Sequence, residues 1–196
     1  MKLSVAELLG RRTLIIGDVG KGKTSLTLQI VMKLLKLGYS EEVTVLDFAP
    51  NKILIEGVQV GGKLADFGLS LSGVRYYTDD IAAPRLTSKS RDEVIRLASL
   101  NRVKCHHLLQ KFQANPTSIL VINDVTLYFQ VGDLGLLPQA LSVAETFVAN
   151  GYFGKTLKED LGSGISRNER LMMMKLIELA DYVVDLNKID IVDVDC

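Results

Sequence analysis

Gly17-Asp18-Val19-Gly20-Lys21-Gly22-Lys23-Thr24 sets two glycines, a lysine and a hydroxyl at the spacing G-x-x-x-x-G-K-[ST]. The apolar run Thr13-Leu14-Ile15-Ile16 leads into it, and Leu26, Ile30, Leu34 and Leu37 follow on one helical face. Strand, glycine loop and helix in that order constrain the fold more than any other feature of the chain. Glycine takes backbone angles that a Cβ forbids, so such a loop can wrap closely around an anion. Its N–H groups form a nest that opens onto the positive end of the helix. The pattern predicts that Gly17, Asp18, Val19, Gly20, Lys21, Gly22, Lys23, Thr24 and Ser25 surround the phosphates of a nucleoside triphosphate. Lys23 is placed to reach the β- and γ-phosphates and Thr24 to ligate Mg²⁺. Lys21 is an additional cation that faces either phosphate or solvent. The helix is expected from Lys23 to Leu37, with Gly38 as its stop.

Strands and helices alternate along the rest of the chain, which predicts an α/β fold of three layers, a mostly parallel sheet with helices on both faces. Val43 to Leu46 forms a strand ending at Asp47, Val74 to Tyr77 another, and Thr146 to Asn150 a third. Ser118 to Ile122 is a continuous β-rich apolar run, the pattern of a buried strand. Ile53 to Leu71, with four glycines, reads as a hairpin or a mobile loop. Ser4 with Glu7, Ser90 with Glu93, and Ser166 with Glu169 have the spacing that caps a helix start, the second helix running to about Gln113. Met172, Met173 and Met174 cover most of a helix circumference and are expected to fill core. Tyr182–Leu186 and Ile189–Val194 are expected to close the chain as a β-hairpin turning at Asn187-Lys188.

At 196 residues and 47% hydrophobic composition, residues 1–196 are expected to form one domain with a full core. Twenty-three basic against 23 acidic residues argue against a general nucleic-acid binder. Two cysteines, Cys105 and Cys196, make no disulfide framework, so a cytoplasmic setting is expected. Cys105-His106-His107 is not a metal cluster, because neighbours on a helix point about 100° apart. Exposed or half-buried helical positions are expected there. No apolar run approaches membrane length and no signal peptide is expected.

A phosphate loop needs a carboxylate on the metal side, and the end of a buried strand is where it should stand. Asp124 is that candidate, preceded by Asn123. Side chains alternate along a strand, so a shift of one residue matters. Two readings are open: a local twist turns Asp124 toward the metal, or Asn123 holds a metal-bound water and Asp124 serves elsewhere. No glutamate follows Asp124 to polarise water. Asp47, at another strand end, is the candidate base or water-orienting group, with a turn aspartate as the alternative.

With both halves in view, the chain resembles the P-loop NTPase superfamily. Ile119 to Phe129 further resembles the Walker B segment of the adenosylcobinamide kinase/guanylyltransferases, in which a hydrophobic strand ends in aspartate before a Thr-Leu-aromatic triplet, here Thr126-Leu127-Tyr128. Val148 to Gly151 is loosely similar to that family's next strand end. The resemblance implies a RecA-like core. Asn123 departs from the family's aspartate, and no histidine lies between Tyr77 and Arg91 to carry a guanylyl intermediate, so guanylyl transfer is not expected. Asn187-Lys188-Ile189-Asp190 matches the N-K-x-D guanine motif of GTPases, but Val125-Thr126-Leu127 after Asp124 does not supply their D-x-x-G switch.

These readings make the expected activity a Mg²⁺-dependent ATPase or small-molecule phosphotransferase. Lys23, Asp47 and Asp124 are the candidate catalytic residues, and Thr24 and Asp124 hold the metal. GTP is the alternative nucleotide, and a GTP-dependent switch, an assembly factor or a slow nucleotide-binding regulator the alternative role. The partner is then an unspecified small molecule or protein, with neither nucleic acid nor membrane indicated. Arg167 and Arg170, after a glycine-rich loop, are candidates to close over a nucleotide.

Overall fold

Each central strand carries apolar residues at consecutive positions, so both faces of the sheet must be covered. A computed structural model describes residues 2–55, 58–68, 73–189 and 193–195. In chain order the elements are β1 (Lys2–Ser4), α1 (Val5–Leu8), β2 (Arg12–Gly17), α2 (Lys23–Lys36), β3 (Val43–Asp47), β4 (Ile53–Ile55), β5 (Val58–Val60), β6 (Arg75–Thr78), α3 (Pro84–Thr87) and α4 (Arg91–Ala114). They continue with β7 (Ile119–Asn123), α5 (Leu137–Val143), β8 (Thr146–Tyr152), α6 (Ile165–Leu179), β9 (Tyr182–Asp185) and β10 (Asp193–Asp195).

Six strands form one sheet in the order β6-β3-β7-β8-β2-β9, and every pairing in it is parallel. Alternation sorts the strand residues between two cores. Leu14, Ile16, Leu120 and Ile122 pack with α4, α5 and α6, whereas Ile15, Val121 and Val148 pack with α1 and α2. The result is the three-layer α/β architecture of the RecA-like kind. The two-residue offset between alternating faces would be lost by a one-residue slip, so burial on both sides fixes the register.

Helix starts follow their predicted caps at two of three places. Ser4 and Glu7 form a capping box on α1, and Ser90 Oγ accepts the Glu93 N–H at 3.2 Å. The third differs: α6 begins at Ile165 behind Gly164, which holds φ 83°, so Ser166 and Glu169 lie inside the helix and Glu169 is buried. Met172 and Met173 fill core, but Met174 is exposed. Cys105 is fully buried rather than partly exposed, while His106 is half-buried with Nδ1 3.1 Å from the Tyr128 hydroxyl.

The C-terminal hairpin is also corrected. β9 pairs with β2 in parallel, and β10 pairs with β1 in parallel, so the two strands do not pair with each other. The physical reason is burial: Val184 and Leu186 gain cover at the edge of the main sheet, and Val194 packs against the α2 face. A turn does occupy residues 186–188, as expected. β4 and β5 form a separate antiparallel ribbon, consistent with the hairpin reading of that stretch. Among the described residues, no helix is long and apolar enough to cross a membrane.

Parallel pairing brings every carboxyl end of the main sheet to one edge. Gly17 of β2 stands level with Tyr152 of β8, and Asp47 of β3 with Asn123 of β7 and Thr78 of β6. In open α/β sheets this edge is where ligands collect.

Candidate functional site

The glycine loop leaves β2 and enters α2 through two left-handed residues, Gly20 at φ 73° and Gly22 at φ 82°. A side chain at either would be strained; Gly22 is the second fixed glycine of the pattern, whereas Gly20 occupies a position that the pattern leaves open. Lys23 Nζ donates to the Asp18 carbonyl at 2.7 Å, lying back across its own loop. Burial lowers the Lys23 pKa, opposed by the charges of Asp124 and Asp18. Lys21 and Ser25 are exposed and do not line the cavity beside the loop.

Asp18 is a tether. Its Oδ1 accepts from the Val19 N–H at 2.7 Å, and its Oδ2 from Lys155 N–H at 2.8 Å and Thr156 N–H at 3.2 Å. Desolvation works against its charge, but the N–H donors of Lys155, Val19 and Thr156 outweigh it and hold the carboxyl below its usual range. Gly154 allows this approach, since a Cβ there would lie 2.3 Å from Asp18 Cγ. The Asp18 N–H in turn donates to Asn187 Oδ1 at 2.9 Å, and Asn187 Nδ2 donates to the Phe153 carbonyl at 2.9 Å. Asn187 therefore braces the glycine loop, and Lys188 pairs with Asp185 at 3.3 Å. Asp190, the base-reading position of the guanine motif, lies outside the described residues.

A cavity of about 370 Å³ opens over the loop. Val19, Gly20, Lys23 and Thr24 form one wall, and Asp124, Thr126, Gln130 and Asn150 face them. The position of Asp124 follows from its backbone: φ 59° and ψ 60° are left-handed, a conformation that aspartate and asparagine tolerate better than most side chains. That twist ends β7 and brings Asp124 to the cavity lining. The Asp124 N–H donates to Asn150 Oδ1 at 3.0 Å, and the Thr126 hydroxyl donates to Asp124 Oδ1. Burial raises the Asp124 pKa, opposed by the Thr126 hydrogen bond and by the charges of Lys23 and Arg85. The Thr126 backbone N–H also favours the charged form of this carboxyl.

Asn123 faces away into a buried amide relay. Its Nδ2 donates to Asp47 Oδ1 at 2.8 Å, and its Oδ1 accepts from Asn150 Nδ2 at 2.7 Å. Asn150 Nδ2 also lies 2.8 Å from Thr27 Oγ1, on α2. Asp47 is where the sequence reading is corrected. It is fully buried, does not line the cavity, and accepts from Leu64 N–H at 2.6 Å, the Tyr76 hydroxyl at 2.7 Å and Ala49 N–H at 3.2 Å besides Asn123. Its carboxylate anchors the chain after β3; no face is left to orient water at a nucleotide. Burial raises its pKa despite those donors.

Two residues missed from the sequence complete the site. Arg85, following Pro84 at the start of α3, lines the cavity and forms a fork-to-fork pair with Glu169 at 2.9–3.0 Å. Both side chains are almost wholly buried. Gln130 Nε2 donates to Glu169 at 3.3 Å, and its Oε1 is buried with no partner. A signal was available: Glu169 falls on the apolar stripe of Ile165, Met172, Met173 and Leu176, and an acid there requires a cation.

The donor set suits Mg²⁺ held by few protein groups. Among the described residues no cluster of three or more His, Cys, Asp or Glu could cage a metal. Thr24 and Asp124 offer one hydroxyl and one carboxylate to the cavity, the share a protein supplies when phosphates and water complete the octahedron. No family model and no curated protein matches this chain. The geometry alone gathers the glycine loop, an ammonium, a carboxylate, a hydroxyl and a guanidinium around one cavity.

Proposed function

We propose that this protein is a Mg²⁺-dependent, ATP-binding phosphotransferase built on a P-loop, with slow hydrolysis when no acceptor is present. The observation that carries the reading is the meeting of Lys23, Thr24 and Asp124 in one cavity at the N-terminus of α2. The amides of the loop hold the phosphates, and Lys23 exchanges the Asp18 carbonyl for phosphate oxygens. Arg85 faces the transferred group from the opposite wall and neutralises the charge that builds on it. An acceptor oxygen bonds to the terminal phosphorus while the bond to the bridging oxygen breaks. ADP leaves with that electron pair, and the acceptor's proton is released to solvent. Mg²⁺ held by Thr24 and Asp124 would supply Lewis-acid neutralisation of the phosphates.

Transfer is favoured over rapid hydrolysis because Asp124 is the one carboxylate among the described residues lining the cavity. A carboxylate on the metal is not free to activate water, and Asp47 is sealed away. The test is calorimetry with non-hydrolysable ATP and GTP analogues in the presence of Mg²⁺, followed by phosphate release with and without candidate acceptors. Binding of the ATP analogue, lost in Lys23→Ala, is expected. A tenfold preference for GTP, about 1.4 kcal/mol, would replace ATP in this reading, and no triphosphate binding at all would end it.

A further inference from the structure

Past Arg85 and Tyr152 the cavity meets a second bay of about 440 Å³, and the two share Arg85, Tyr152 and Leu157 as their common wall. Its lining includes Arg85, Lys155, Lys158, Arg167 and Arg170, five cations against the single carboxylate of Glu169. Glu169 already binds Arg85 through both oxygens. Among the described residues no carboxylate pairs with Lys155, Lys158, Arg167 or Arg170. The chain as a whole carries no net charge, so this concentration is local and not the consequence of a basic composition.

The bay has a built frame. The Tyr152 hydroxyl accepts the Leu157 N–H at 2.8 Å, which fixes the loop bearing Lys155 and Lys158. The Arg170 guanidinium stacks 4.4 Å above the Phe153 ring and the Arg85 guanidinium 5.5 Å above Tyr152. The first turn of α6 is closed off, since Asp160 accepts the Ser166 N–H at 3.0 Å, so the positive potential comes from side chains. Unpaired like charges around a concave space repel one another until an anion enters.

We infer that the bay binds the anionic group, phosphate or carboxylate, of a small-molecule acceptor. The acceptor's hydroxyl then extends past Arg85 and Tyr152 toward the terminal phosphate at Lys23. The inference rests on the nucleotide reading for the transfer step, but the anion site itself does not. A half-open bay of this size fits the anionic end of a small molecule, and the shared Arg85 would sense both the anion and the transferred phosphoryl group.

The test is calorimetric titration of inorganic phosphate, glycerol 3-phosphate and malonate into protein saturated with Mg²⁺ and a non-hydrolysable ATP analogue. Lys155→Ser combined with Lys158→Ser alters exposed side chains only, so folding is retained. Expected is a loss of about tenfold or more in anion affinity for the double variant, with affinity for the ATP analogue unchanged within about twofold. Glycerol 3-phosphate binding better than malonate assigns a phosphorylated acceptor, and the reverse assigns a carboxylated one. Phosphate should also bind Lys23→Ala protein without nucleotide, which separates the bay from the loop. Equal anion affinity in the double variant, or anion binding abolished by the ATP analogue or by Lys23→Ala, overturns the inference. A matching loss of nucleotide affinity in the double variant would return these cations to the nucleotide site and overturn it as well.

Discussion

Asn123 donates its side-chain amide to Asp47 Oδ1 at 2.8 Å, and both residues are fully buried. This relationship accounts for an amide, and not an acid, at the end of β7. Asp47 already supplies the negative charge of that layer, satisfied by Leu64, Ala49 and Tyr76. A neutral amide avoids a second charge beside it and passes the connection onward. Asn123 Oδ1 accepts from Asn150, and Asn150 Oδ1 accepts from the backbone of Asp124. Three strand ends are thereby joined to the carboxylate that faces the loop.

Asn123→Asp should therefore destabilise the fold by about 2–4 kcal/mol, measured by urea unfolding. Two carboxylates at that separation share a proton, so one holds it well above the ordinary aspartate range. A folded pKa raised above the unfolded value means that stability is greatest below about pH 4 and is lost as pH rises. A variant as stable as the native protein at pH 8 would sink the account.

Lys23→Ala and Asp124→Asn separate two roles in the cavity. Lys23→Ala should weaken Mg²⁺–ATP analogue binding and lower turnover by about 10²-fold or more. Asp124→Asn keeps the left-handed backbone that asparagine also accepts, so the melting temperature should stay close to native. Its deficit should appear in the Mg²⁺ concentration needed for turnover. Unchanged Mg²⁺ dependence in Asp124→Asn would remove this residue from the metal side.

The parts legible in the sequence were those governed by local rules. Glycine spacing located the loop, Ser90 with Glu93 located the start of α4, and the unbroken apolar run located β7. What escaped was decided by contacts between distant segments. Asp47 at a strand end reads the same whether it opens to a ligand or anchors Leu64, and only the chain's return past Tyr76 decides it. Ser166 with Glu169 has capping spacing, but Arg85, far away in sequence, draws the glutamate inward. The terminal segments alternate like a hairpin, yet β10 finds β1 as its partner, a pairing that local pattern cannot encode. The twist at Asp124 was one of two readings because strand alternation stops being informative where the strand ends.

Arg85 calls for a variant that distinguishes charge at the cavity from stability of the core. Arg85→Ala alone leaves Glu169 buried without its cation, a loss of about 3–5 kcal/mol. Replacing both, as Arg85→Met with Glu169→Leu, should recover most of that stability because apolar side chains can fill the space of a buried ion pair. Transfer to an acceptor should nonetheless stay about 10²-fold below native in kcat, with nucleotide affinity changed far less. Native turnover in a stable double variant would make Arg85 purely structural.

The Glu169 carboxyl gives the fold a pH signature. Burial pushes its pKa up to about 7, against the opposing pull of Arg85, with Asp124 adding to the rise and Gln130 opposing it. The unfolded value is about 4.5, so the folded state binds more protons between these limits. Stability contributed by the protonated acid is complete below about pH 4.5 and is lost as pH rises toward 7, by up to about 3 kcal/mol. Asp47 and Asp124, also raised by burial, add slopes of the same sign. Glu169→Gln isolates this contribution: urea midpoints from pH 4.5 to 7.5 should decline less steeply than in the native protein, the two proteins lying closest at low pH, where the native acid is itself neutral. Parallel curves for the two proteins would place the Glu169 pKa near its unfolded value and assign the native slope to the other buried acids.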